Sequence, residues 1–103
     1  MELRFTKQAE QAFLTIVERH AEYSGPISAN KFIDKVNALK RMLLKYPYLG
    51  HPEPILADRK YPYRSKSITK YYRIIFFQKG NTIWIADFWD SRQDPVKLAQ
   101  RIK

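Results

Sequence analysis

The sequence contains no cysteine, which removes disulfide scaffolds, thiolate metal sites and cysteine nucleophiles and weakly favours a reducing compartment. Its two histidines, His20 and His51, are too few for a histidine-based metal cluster. With only three glycines there is no Gly-rich phosphate loop. G-x-S-x-G elbows, H-E-x-x-H pairs and paired metal carboxylates are also missing, so neither metal nor cofactor is expected. No apolar run approaches the roughly 20 residues that cross a bilayer. The amino-terminal stretch MELRFTKQAEQAF carries acids and lacks the apolar core of a signal peptide. The expected address is the cytoplasm.

Acid is also scarce. Ten Asp and Glu face nineteen Lys and Arg, a formal net charge of +9 over 103 residues. A chain this short makes one domain, 1–103, and one this basic tends to meet a polyanion or an acidic protein. The excess is uneven. Residues 59–79 carry Arg59, Lys60, Arg64, Lys66, Lys70, Arg73 and Lys79 with no acid among them. The same stretch holds Tyr61, Tyr63 and Tyr71, and cations interleaved with aromatics suit a single-stranded nucleic acid as well as a plain solvated surface.

Periodicity organises the chain. Met1–Phe5 alternates and reads as a short strand, with Thr6 placed to cap a following helix. Ala9, Phe13, Ile16, Val17 and His20 recur at spacings of three and four and form its apolar face. Ser24-Gly25-Pro26 ends that helix. A second is expected from Ser28, burying Phe32, Ile33, Val36, Leu39 and Leu43 and stopping at Pro47. So short a turn predicts an antiparallel helical hairpin.

The period then changes. Proline-rich Tyr46–Asp58 reads as an extended connection, and Tyr61–Ile68 as a strand that Pro62 places at an edge or bulge. Tyr71–Gln78 and Thr82–Trp89 are strands joined by a Gly80-Asn81 hairpin turn. Asp94-Pro95 opens a final short helix. The order β-α-α-β-β-β-α implies an α+β fold, an antiparallel sheet with the hairpin on one face.

Three residues carry candidate chemistry. Arg73 sits mid-strand between hydrophobic neighbours, either on a wet sheet face or aimed at a phosphate. Arg92 either emerges beside Arg73 to complete a two-arginine anion site or is neutralised by Asp90 or Asp94. Glu53, the acid just before the basic stretch, either balances charge or acts as a general base on a ribose hydroxyl.

The element order resembles the RelE/ParE superfamily of toxins from bacterial type II toxin–antitoxin modules. So do Pro47-Tyr48-Leu49-Gly50, Tyr72-Arg73-Ile74-Ile75 in a central strand, and the closing Trp89-Asp90-Ser91-Arg92-Gln93-Asp94-Pro95. The resemblance spans Met1 to about Lys97. It implies a cytoplasmic toxin neutralised by an acidic cognate antitoxin whose carboxy-terminal segment wraps it. In the RelE-like and YoeB-like branches it implies metal-independent cleavage of mRNA on the ribosome. Gly50-His51-Pro52-Glu53-Pro54-Ile55 resembles the YoeB segment bearing a catalytic glutamate, which makes Glu53 the base; Arg73 matches that branch's phosphate-stabilising strand arginine, and Arg92, outside the branch's pattern, is left as a candidate phosphate ligand. Where YoeB ends its last strand with a His–Tyr pair, this sequence has Ser91 and Arg92, and no tyrosine follows Arg92 as one does in RelE. The ending Arg92-Gln93-Asp94-Pro95 is instead similar to ParE-like members, which inhibit DNA gyrase. A third alternative is a non-toxic nucleic-acid-binding domain on the same scaffold.

Overall fold

A computed structural model describes residues 1–103. Strand β1 (Glu2–Phe5) leads through Thr6 into helix α1 (Lys7–Ser24). The Thr6 hydroxyl accepts from the Ala9 N–H at 3.1 Å and donates to the Ala86 carbonyl at 3.1 Å, so one side chain caps the helix and ties it to the sheet. Gly25, at φ +88°, reverses the chain into α2 (Pro26–Lys45). This helix begins before the expected Ser28 because Pro26 occupies its first turn, where a missing N–H costs nothing.

The proline-rich connection is more structured than its composition suggests. It contains β2 (His51–Pro52) and a single 3₁₀ turn, Pro54–Leu56. The strand expected over Tyr61–Ile68 contracts to β3 (Arg64–Ser67), because Pro62 lacks a donor and Tyr63 N–H folds back onto the Tyr61 carbonyl. Strands β4 (Tyr72–Lys79) and β5 (Thr82–Asp90) form the central hairpin, and α3 (Pro95–Arg101) closes the chain with Asp94 as its cap.

The sheet order is β1-β5-β4-β3-β2. It is antiparallel except at one edge, where β1 runs parallel to β5 after the long crossover through the helical hairpin. Between Ile75 and Phe76 the β4–β5 register steps, leaving Ala86 as an extra residue of β5.

Each face carries its own core. Under the hairpin, Tyr72, Ile74, Phe76, Ile83, Ile85 and Phe88 pack against Ala9, Ile16, Phe32, Val36, Leu39 and Leu43. On the opposite face, Ile75, Phe77, Ala86 and Trp89 are covered by Leu56, Leu98 and Ile102 from the 3₁₀ turn and the C-terminal segment. Polar clamps hold that second layer. The fully buried Asp87 accepts two bonds from Arg101, at 2.7 and 2.8 Å, which hold the Arg101 guanidinium above its ordinary pKa. Arg59 donates to the Ala99 and Ile102 carbonyls at the end of α3, at 2.6 and 2.7 Å.

Candidate functional site

The second face gathers the polar side chains. Strand β2 lies beside β3 with His51 opposite Ser65, and Ser65 stands opposite Ile75 of β4, while Ser67 stands opposite Arg73. Residues directly opposite share a face, so His51, Ser65, Ser67 and Arg73 lie on one side of the sheet. Glu53 joins them, because its N–H continues the ladder to the Tyr63 carbonyl at 3.0 Å.

Gly50 makes this approach possible. It sits at φ +80°, and a Cβ there would run into the Ser65 carbonyl oxygen. Arg64 fixes the same connection from outside, donating to the carbonyls of Tyr48, Leu49 and Gly50. Local backbone chemistry thus delivers Glu53 to the sheet.

At the centre Glu53 and Arg73 meet in a fork. Arg73 Nε and Nη2 each donate to one carboxylate oxygen at 3.2 Å, and Nη1 donates to Ser91 Oγ at 2.9 Å. Glu53 is only 5 % exposed, whereas the Arg73 side chain keeps 20 % of its surface open. A buried carboxylate is tolerated here because both its oxygens have a cationic donor. Ser65 Oγ, fully buried on β3 between the strands that carry these partners, has no hydrogen-bond partner. His51 is exposed, with Nδ1 3.0 Å from the Pro52 carbonyl.

Arg92 does not complete a two-arginine site. Its guanidinium lies 4.3 Å from the Tyr71 ring centroid and 5.9 Å from that of Tyr72, a residue of the hairpin-side core. Asp90 holds it there through two side-chain bonds of 2.8 and 2.9 Å, and also accepts the Arg92 N–H at 3.0 Å. Those Arg92 hydrogen bonds lower the Asp90 pKa from its ordinary value and raise that of Arg92. Each arginine thus has its own carboxylate: Arg92 is paired by Asp90 two residues before it, and Arg73 by Glu53.

The remaining basic and aromatic candidates divide into two groups. Arg59 and Arg64 point their donors at backbone carbonyls and hold the fold. Tyr71 lies beneath Arg92 and beside the Lys70 ammonium. Lys60 and Lys70 are exposed, and Lys66 is half-buried on β3. Tyr61 and Tyr63 pack around Phe77, and burial pushes the Tyr63 phenol up, with the neighbouring Tyr61 adding to the shift. Ser65 joins the site without having been singled out in the sequence, its only signal being its alternation with Ser67 along β3, and Ser91, marked there only as a departure from the YoeB ending, joins it as an acceptor for Arg73.

A second depression, about 880 Å³, runs between α1 and α3. Lys7, Arg19, Lys97 and Arg101 line it, and its single acid, Asp90, is the one already held by Arg92. No helix is long and apolar enough to cross a membrane.

A family model described as the ParE toxin of the type II toxin–antitoxin system parDE matches residues 3–95. No curated protein matches the sequence. Among solved structures, a chain of the chromosomal ParDE TA system from P. aeruginosa is 20% identical, with 87% of this chain and 95% of that one covered at a TM-score of 0.70. The YoeB/ParE toxin from Agrobacterium tumefaciens is 21% identical, with 87% and 98% covered at 0.60. A chain of the Staphylococcus aureus YoeB–YefM toxin–antitoxin heterotetramer is 21% identical, with 84% and 92% covered at 0.55. At these identities the structural likeness is one of fold.

Proposed function

We propose, from the premise that this chain belongs to the ParE toxin family of type II toxin–antitoxin systems, that it arrests growth by cutting mRNA at the Glu53–Arg73 pair. The observation that carries this reading is the fork itself: a buried carboxylate and a partly open guanidinium held together on the sheet face that also carries His51. Free of substrate, each satisfies the other. An entering phosphodiester competes for Arg73, which keeps part of its surface open, and leaves Glu53 as a proton acceptor.

The reaction balances with these groups. The ribose 2′-hydroxyl gives its proton to Glu53 while its oxygen attacks the adjacent phosphorus. Arg73 holds the charge that develops on the phosphoryl oxygens. The P–O5′ bond breaks, leaving a cyclic phosphate, and the departing 5′ oxygen takes its proton from His51. With Nδ1 turned to the Pro52 carbonyl, Nε2 is the nitrogen left for that transfer. Mapping transcript ends by primer extension after induction tests the reading. Cuts between codon positions are expected, and intact transcripts in arrested cells would refute it.

A second reading, a DNA gyrase inhibitor without nuclease activity, is favoured by the capture of Arg92 by Asp90 and by the Arg92-Gln93-Asp94-Pro95 ending. Lost supercoiling activity with intact transcripts is its signature. Either toxin takes an acidic antitoxin as partner. The cation-lined depression between α1 and α3, whose only acid is already paired, supports that partner's chemistry. Its association should slow as salt rises, and a rate indifferent to ionic strength would contradict the electrostatic match.

A further inference from the structure

We propose that a cavity of about 550 Å³ adjoining Glu53 is a nucleobase pocket that lays one base of a single-stranded RNA against Tyr61. The inference deepens the scission reading, with which it shares Glu53, but stands on a separate set of side chains. The cavity opens where β3 begins late: Tyr61, Pro62 and Tyr63 form one wall, and Pro47 and Tyr48 of the α2–β2 connection another. Its volume lies within the range that encloses a small planar ligand.

The aromatic wall is already a partial stack. Tyr61 lies nearly parallel to Phe77, with centroids 4.5 Å apart and an interplanar angle of 12°. Tyr63 stands edge-on to both rings, at 6.5 and 5.0 Å, and locks them in place. Tyr61 lines the cavity and Phe77, stacked behind it, does not. A third planar ring extends the stack by moving aside the Lys60 and Lys79 side chains that reach over Tyr61, leaving the first two rings in place. Tyr48, 79 % exposed on the far wall, can close over the same ring.

Charge selects what kind of ring. The Lys60 and Lys79 ammonium groups lie 5.5 and 5.6 Å from the Tyr61 centroid, and neither is in an ion pair. The only acid lining the cavity is Glu53, and Arg73 already holds it. A planar aromatic attached to a phosphate answers both features at once. A proline-rich peptide would use the tyrosines and leave the two cations without a partner. Because Glu53 belongs to both sites, a base in the pocket sits close to the phosphate that Arg73 receives. The cavity therefore also sets which base is preferred beside the cut, with purines favoured for their larger stacking surface.

The test uses full-length protein, without ribosomes, titrated with single-stranded hexamers of A and of U and with decaproline. Binding is followed by tyrosine fluorescence and by the Tyr61 ring resonances. The A hexamer should bind more tightly than the U hexamer and far more tightly than decaproline. Tyr61→Leu should weaken it about tenfold or more, whereas Tyr61→Phe should retain it. Lys60→Gln, at an exposed position outside both cores, should weaken binding and flatten its salt dependence without touching the fold. Wild-type affinity in either Tyr61→Leu or Lys60→Gln, or decaproline binding above the A hexamer, would overturn the proposal. Because cleavage is assayed separately, Tyr61-dependent binding without cleavage would refute the scission reading alone. Cleavage with unaltered binding and base preference in Tyr61→Leu would refute only the pocket.

Discussion

Replacing Arg73 with alanine should destabilise this protein more than any exposed-charge substitution, and the structure sets the size. Glu53 is 5 % exposed, and the two contacts of 3.2 Å from Arg73 are its only charged partners. Removing one member of a buried ion pair costs about 3–5 kcal/mol, because the other charge is left without compensation. The Arg73 side chain is 20 % exposed, so water can reach the gap, and the lower end, about 3 kcal/mol, applies. For a chain of this size that is a fall in Tm of roughly 10–25 °C. Glu53→Gln alone keeps an acceptor for the partly solvated guanidinium and should cost about 1 kcal/mol. The double variant removes both charges, so its loss should be smaller than the sum by at least about 1 kcal/mol. Urea denaturation of the four proteins measures this cycle. An Arg73→Ala within about 0.5 kcal/mol of wild type, or strictly additive losses, would refute the claim that the pair is a coupled buried unit.

Gly50→Ala should cost upwards of about 2 kcal/mol, combining a left-handed backbone with a collision at the Ser65 carbonyl oxygen. It should also speed hydrogen exchange at the Glu53 N–H, and protection equal to wild type would contradict it. Gly80→Ala, with open space around its Cβ, is the control and should leave that amide protected. For Asp90 the sign follows from its lowered pKa. The pair with Arg92 contributes above the ordinary value of 3.8 and is lost as pH falls through the lower folded value. A carboxyl titration by NMR should therefore find a midpoint below 3.8 that moves up in Arg92→Gln. Equal midpoints in the two proteins would refute the pairing.

Helices and the central hairpin were legible because their signals are local. The spacing of Phe32, Val36, Leu39 and Leu43, the prolines at 26 and 47, and the Gly80-Asn81 turn each act within a few residues. The parallel placement of β1 was not legible, since Leu3 pairs with Ile83 only after the intervening helices have folded. The same distance hid the roles of Arg59 and Arg64, whose carbonyl acceptors lie 40–43 and 14–16 residues away. Charge counts assign such arginines to a surface, and the fold uses them as clamps. The bulge at Ala86 puts Asp87 opposite Ile75, where Arg101 meets it, a shift that strand periodicity does not encode. The proximity of Glu53 to Arg73 followed from family resemblance rather than from any local pattern. For Arg92, the nearer carboxylate of two open possibilities prevailed.

The most direct measurement is the fate of mRNA in a purified translation system given this toxin and its Glu53→Gln and Arg73→Gln variants. The account predicts that the wild-type protein cuts ribosome-bound message and leaves cyclic phosphate ends, while each folded variant loses about 10²–10⁴-fold in rate. Message left intact by an excess of wild-type protein, or cut at the same rate by both variants, would contradict it.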